Sequence, residues 1–110
     1  MPFASQYERA IHFDLHGHEF GAADEIEYER MADAFMSQMV SPMVQQCRRR
    51  KADRTTGDRV RLHFQFLHFG TAHGTPEVIR TFYIPPVARV NRFGGPALYL
   101  RRECDKVFED

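Results

Sequence analysis

Val60-Arg61-Leu62-His63-Phe64-Gln65-Phe66 alternates apolar and polar side chains without a break. A period of two is the signature of a strand with one buried and one wet face. Residues 67–71 continue this strand or return beside it, and residues 70–76 supply turn chemistry. Residues 78–84 form a second good strand, stopped by Pro85-Pro86, because proline cannot donate to a sheet ladder. Phe93-Gly94-Gly95-Pro96 reads as another turn, and residues 97–107 read equally as a last strand or a C-terminal helix.

Upstream the period changes to that of helices. Ser5 and Glu8 have capping-box spacing, and Tyr7, Ile11 and Leu15 fall at i, i+4, i+8 as the expected buried stripe. Gly17 is the expected stop. Asp24 and Glu27 make a second capping box for a helix carrying Tyr28, Met31, Ala32, Phe35 and Met39, with its end near Val40. Ser41-Pro42 looks like a third start, with a short helix over residues 42–50. The fold expected is α+β: two to three N-terminal helices packed on a small antiparallel sheet from the C-terminal half. At 110 residues there is room for one such domain.

Composition is that of a globular protein, 43% hydrophobic and 27% charged, with ten Phe and no Trp. No apolar run approaches the length of a membrane span. No charged and apolar leader opens the chain, which fits a cytoplasmic protein and equally a domain carried in a larger effector. Cys47 and Cys104 read first as two reduced thiols, with a single disulfide as the alternative. Net charge is zero but unevenly spread. Residues 1–46 hold eight acids and two bases, net −6; residues 47–110 hold thirteen bases and seven acids, net +6. Such a dipolar chain can offer a basic face to a phosphate backbone, or its halves can simply attract each other.

The densest chemical cluster is His12-x3-His16-x-His18. A helical i, i+4 histidine pair has metal-ligand geometry, but no Glu completes an HExxH motif and no third ligand stands out. The same imidazoles titrate near neutrality and can move protons. They can also be ordinary histidines at the edge of a helix. A second cluster is Arg80-Thr81: an Arg and a hydroxyl can hold one phosphate, provided that a bulge or a strand edge brings both to it. The run Arg48-Arg49-Arg50-Lys51, with Arg54, Arg59 and Arg61, can hold nucleic acid or be solvated charge. Arg49, Arg59, Arg61 and His63 are the candidates for substrate binding.

These pieces, in this order, resemble a known family. His12-Phe13-x-x-His16-Gly17-x-Glu19-Phe20-Gly21 and Glu27-Tyr28-Glu29-x-Met31-Ala32-x-x-Phe35 look like the helical part of toxin-type and phage-associated nuclease domains. These belong to the barnase–EndoU–colicin–RelE superfamily. Cys47-x-Arg49, Gly57-Asp58-Arg59-Val60-Arg61, His68-Phe69-Gly70, Ile79-Arg80-Thr81-Phe82-Tyr83-x-Pro85 and Tyr99-x-x-x-Glu103-Cys104 follow at similar spacings. Residues 70–76, with His73, and the basic segment 87–96 are longer than in the family.

The resemblance implies N-terminal helices on a four-stranded antiparallel sheet. It implies metal-independent RNA cleavage by attack of a 2′-hydroxyl on the adjacent phosphate, with no cofactor. His12 or His16 would be the general base or acid, Arg80 and Thr81 would stabilise the phosphate, and Tyr99 is a further catalytic candidate. A toxin of this kind implies an immunity or antitoxin partner besides RNA. The alternative is a non-catalytic interaction module or a phage or effector accessory module of the same fold.

Overall fold

The computed structural model describes residues 1–39, 44–51, 56–65, 68–74, 78–105 and 107–108. Helix α1 (Gln6–His16) starts at Ser5, whose Oγ accepts the Glu8 N–H at 3.2 Å. Helix α2 (Glu25–Ser37) starts at Asp24, whose Oδ1 accepts the Glu27 N–H at 2.8 Å. Both caps are the ones read from the sequence. Each satisfies a helix-start N–H that would otherwise lack a partner, and its loss costs about 1 kcal/mol.

A 3₁₀ turn, Gly17–Phe20, joins the helices and ends at Gly21, with φ 67°. Helix α1 does stop at Gly17, as read, while the left-handed residue is Gly21, which ends the 3₁₀ turn. Gly17 has ordinary helical angles and is needed for another reason: a Cβ there would strike the Phe13 ring.

Helix α2 buries Tyr28, Ala32, Phe35 and Met36, spaced i, i+4, i+7, i+8. Met39, expected on that stripe, lies beyond the last turn and is 87% exposed. The core joins these residues to Phe3, Ala72, Ile79 and Phe82. Phe20 stacks on Phe82 with ring centres 3.8 Å apart, and the Tyr28 hydroxyl donates to the Phe82 carbonyl. Burial pushes the Tyr28 hydroxyl pKa far up, so it stays a donor.

The stripe Tyr7, Ile11, Leu15 does not face this core. These residues are 75%, 53% and 57% exposed. Three contacts rotate α1 the other way. Arg9 pairs with Glu25 and Glu29 of α2, Phe13 packs against the core beside Tyr28, and His12 stacks on Phe3. The polar side of α1 therefore turns inward, and the two histidines with it.

The sheet is a meander of β1 (Val44–Lys51), β2 (Thr56–Gln65), β3 (His68–Gly74) and β4 (Ile79–Tyr83), each antiparallel to the next. Short β5 (Val107–Phe108) runs parallel to β1, giving the order β4-β3-β2-β1-β5. The helix expected over 42–50 is not formed: residues 44–51 are β1, and Ser41-Pro42 lies outside the described residues. Pairing with β2, from Val44↔His63 to Cys47↔Val60, outweighs the weak helical pattern. Residues 70–74, expected as a turn, continue β3 instead, and 75–77 lie outside the described residues.

Two further helices follow, α3 (Val87–Arg92) and α4 (Pro96–Asp105), so the ambiguous segment 97–107 is mainly helix. Gly94 and Gly95, φ 95° and 111°, make the turn between them. Ala72 pairs with Phe82 and packs on the α2 side. The next cross-strand row runs Cys47↔Val60↔His73↔Thr81, and in it Cys47, His73 and Thr81 face the other way. There Cys47 pairs with Cys104 of α4 in a disulfide, Cα atoms 6.0 Å apart, beside the cluster of Val90, Tyr99 and Leu100. The reduced-thiol reading is thus corrected. Helix α2 lies on one face of the sheet and α4 on the other, with α1 along the β4 edge. Among the described residues no helix is long and apolar enough to cross a membrane.

Candidate active site

The site forms where α1 lies along β4, an edge strand of the sheet. Register decides what β4 presents. Gly74 pairs with Ile79, but His73 pairs with Thr81, so Arg80 is an extra residue in a bulge. The bulge explains how Ile79 and Phe82, three apart, both reach the core; a regular strand would point them to opposite faces. It also turns Arg80 outward. Counted as a regular strand residue, Arg80 would share the buried side of Phe82; in the bulge it is exposed. Bulge and edge together are the condition under which Arg80 and Thr81 can serve one ligand.

Thr81 Oγ1 lies 3.2 Å from His12 Nδ1. The other ring nitrogen of His12, Nε2, is 3.6 Å from a Glu8 carboxylate oxygen. A carboxylate there favours the hydrogen on Nε2, which leaves Nδ1 as an acceptor facing Thr81. Burial lowers the His12 pKa below its ordinary value; Glu8 opposes the shift and neighbouring His16 adds to it. The His12 ring is therefore neutral near pH 7 and can accept a proton.

His16 stacks one turn on, ring centres 6.2 Å apart. Its Nδ1 is 2.7 Å from Glu19 Oε2, and the other oxygen of Glu19 accepts the Ile84 N–H at 2.6 Å. One carboxylate thus ties the helical turn to the end of β4 and orients the ring through Nδ1. The ring sits 5.6 Å from that of Tyr83, whose hydroxyl is 2.9 Å from that of Tyr99. Burial raises the Tyr99 pKa, with the Tyr83 hydrogen bond opposing it, then Glu103 raising and Arg89 lowering it.

Four sequence candidates, His12, His16, Thr81 and Tyr99, are thus linked in one chain of contacts, Tyr99 through Tyr83. Arg80 adjoins Thr81. The substrate-binding candidates stand apart. Arg59, Arg61 and His63 are on β2, two strands from β4, and Arg49 is on β1, three strands away. At the usual strand spacing these are roughly 10 and 14 Å from β4; their side chains lie outside the described residues. His18 is exposed, and no three His, Cys, Asp or Glu side chains among the described residues converge to hold a metal.

Glu8, Glu19 and Tyr83 were not singled out for chemistry in the sequence. Glu8 was legible as an i, i+4 neighbour of His12; Glu19 and Tyr83 needed the fold. No family model, curated protein or solved structure matches the chain.

Proposed function

We propose that the chain is a metal-independent endoribonuclease that cleaves RNA by attack of a 2′-hydroxyl on the adjacent phosphate. The observation that carries this reading is the approach of Thr81 Oγ1 to His12 Nδ1 at 3.2 Å, with His16 held by Glu19 one turn away. Two imidazoles in different settings, beside a hydroxyl and an exposed arginine on one strand edge, are what in-line phosphoryl transfer by acid and base needs.

His12 is the base. It is neutral near pH 7, and a 2′-hydroxyl entering beside Thr81 meets the Nδ1 lone pair. His16, oriented through Nδ1, gives a proton from Nε2 to the departing 5′-oxygen. Thr81 donates to a phosphate oxygen, and Arg80 offsets the charge of the phosphorane. Tyr99 acts through Tyr83, closing the far side of the site. Acid–base groups so placed contribute about 10²–10⁴-fold. RNA is the partner in catalysis; an inhibitor with an acidic surface is the partner expected in a cell that makes such a protein.

The test is cleavage of RNA by purified protein in excess EDTA, beside His16→Ala and Arg80→Ala. Cleavage that survives EDTA, leaves 2′,3′-cyclic ends and vanishes in both variants supports the reading. A folded protein inert toward varied RNAs would sink it in favour of a non-catalytic interaction module. Cleavage abolished by EDTA would return the histidines to a metal site.

A further inference from the structure

The basic segment 87–96 plays no part in the chemistry above, yet it folds into one wall of a cavity. Arg89, Arg92 and Phe93, from α3 and the residue after it, face Arg102 and Glu103 of α4 around a space of about 240 Å³. We propose that this cavity is a phosphate-binding subsite, which seats a phosphate of a nucleic-acid strand that also reaches the histidines.

Three guanidiniums share the cavity with one carboxylate. Like charges gathered this closely repel each other, and an anion between them removes the repulsion. Glu103 offsets only one, and its carboxylate also approaches buried His73, at 4.0 Å. A helix dipole does not account for the cluster. Dipoles favour each arginine singly, Arg89 and Arg92 in the last turn of α3 and Arg102 in the last turn of α4, but they do not bring the two helix ends together around one space.

Arg102 is also oriented in advance: its guanidinium carbon lies 3.9 Å from the centre of the Phe93 ring. A planar fork already held in place loses less freedom on gripping a phosphate. The cavity borders the proposed active site as well. Phe93 of the cavity wall packs on Tyr99, ring centres 6.2 Å apart, Tyr99 meets Tyr83, and Tyr83 lies against His16. A strand held at the histidines reaches the arginines by passing over Tyr83 and Tyr99. Phosphate binding stands by itself; only the assignment of the strand as RNA substrate rests on the proposed function.

The experiment measures binding, not cleavage. A fluorescent 2′-O-methyl RNA oligonucleotide, which lacks the attacking hydroxyl, is titrated with the full chain in EDTA and followed by anisotropy. The Arg92→Ala/Arg102→Ala variant is expected to bind about tenfold more weakly. Its salt dependence should be shallower by roughly 0.7 in log–log slope for each phosphate no longer neutralised. Arg92→Lys/Arg102→Lys, which keeps the charge without the fork, should fall between. Arg30→Ala, on the acidic half, should bind as wild type.

Unchanged affinity and slope in a double variant with wild-type thermal unfolding overturn the proposal. Inorganic phosphate, titrated alone, separates the two sources of the ligand. Tighter binding of the strand than of phosphate supports a strand subsite; equal affinities overturn it and leave a site for free phosphate. A protein that binds the oligonucleotide through these arginines but cleaves no RNA removes the nuclease reading and leaves the subsite standing.

Discussion

Glu19 Oε2 lies 2.7 Å from His16 Nδ1, and this one pair couples the proposed chemistry of the site to its fold, because Glu19 Oε1 holds the Ile84 N–H. Removing the side chain should therefore damage both. Glu19→Ala leaves the Ile84 N–H without its acceptor and should cost about 1–3 kcal/mol in urea unfolding. Glu19→Gln keeps one oxygen for that N–H, so stability should suffer less while RNA cleavage still drops. An alanine variant with the wild-type urea midpoint would mean that the bracket does not exist in solution.

The lowered pKa of His12 makes a prediction about acid. Burial is the main cause, with Glu8 opposing it and His16 adding to it. Between the folded pKa and the ordinary value of 6.5, the unfolded chain binds more protons at this residue than the folded one. Stability is therefore greatest above 6.5, falls as pH drops through that value, and levels off below the folded pKa. Urea midpoints of the wild type and His12→Gln, compared between about pH 5 and 7.5, isolate this contribution. The variant should show the shallower slope; equal slopes would count against a buried, neutral His12.

The Cys47–Cys104 pair closes a loop across β1 and α4, with a sequence separation of 57. A bond of that span should stabilise the fold by about 2–4 kcal/mol. Dithiothreitol, or Cys47→Ser with Cys104→Ser, should lower the thermal midpoint accordingly. Native protein should resist alkylation until reduced. Two titratable thiols in the untreated native protein would contradict the pairing.

The orientation of α1 is open to a direct check. Ile11 is 53% exposed, so Ile11→Ser should change stability by no more than about 0.5 kcal/mol. Phe13 packs on the core, and Phe13→Ala should cost on the order of 2 kcal/mol. Circular dichroism melts of both would decide it. The reverse ranking would put the Tyr7–Ile11–Leu15 stripe inside and carry His12 away from Thr81.

Local rules carried far in this chain. Ser5 and Asp24 cap the helices because a side-chain acceptor three residues before an N–H acts without help from the rest of the molecule. The alternation of residues 60–66 and the prolines after Ile84 mark β2 and the end of β4 for the same reason: pleat and ring geometry are local. The histidine pair and Arg80-Thr81 were legible from residue type alone as candidates for chemistry.

Everything that depends on a distant partner waited for tertiary structure. Residues 44–51 became strand because β2 offered a ladder, and the apolar stripe of α1 turned outward because Arg9, His12 and Phe13 had better partners inward. Periodicity states which residues share a face of a helix, not which face wins. The bulge at Arg80, the grip of Glu19 on His16, the union of Cys47 with Cys104 and the gathering of Arg89, Arg92 and Arg102 each join residues by register or packing. The sequence supplied the groups and their local geometry; long-range pairing, whose free energy no single segment contains, decided which of them meet.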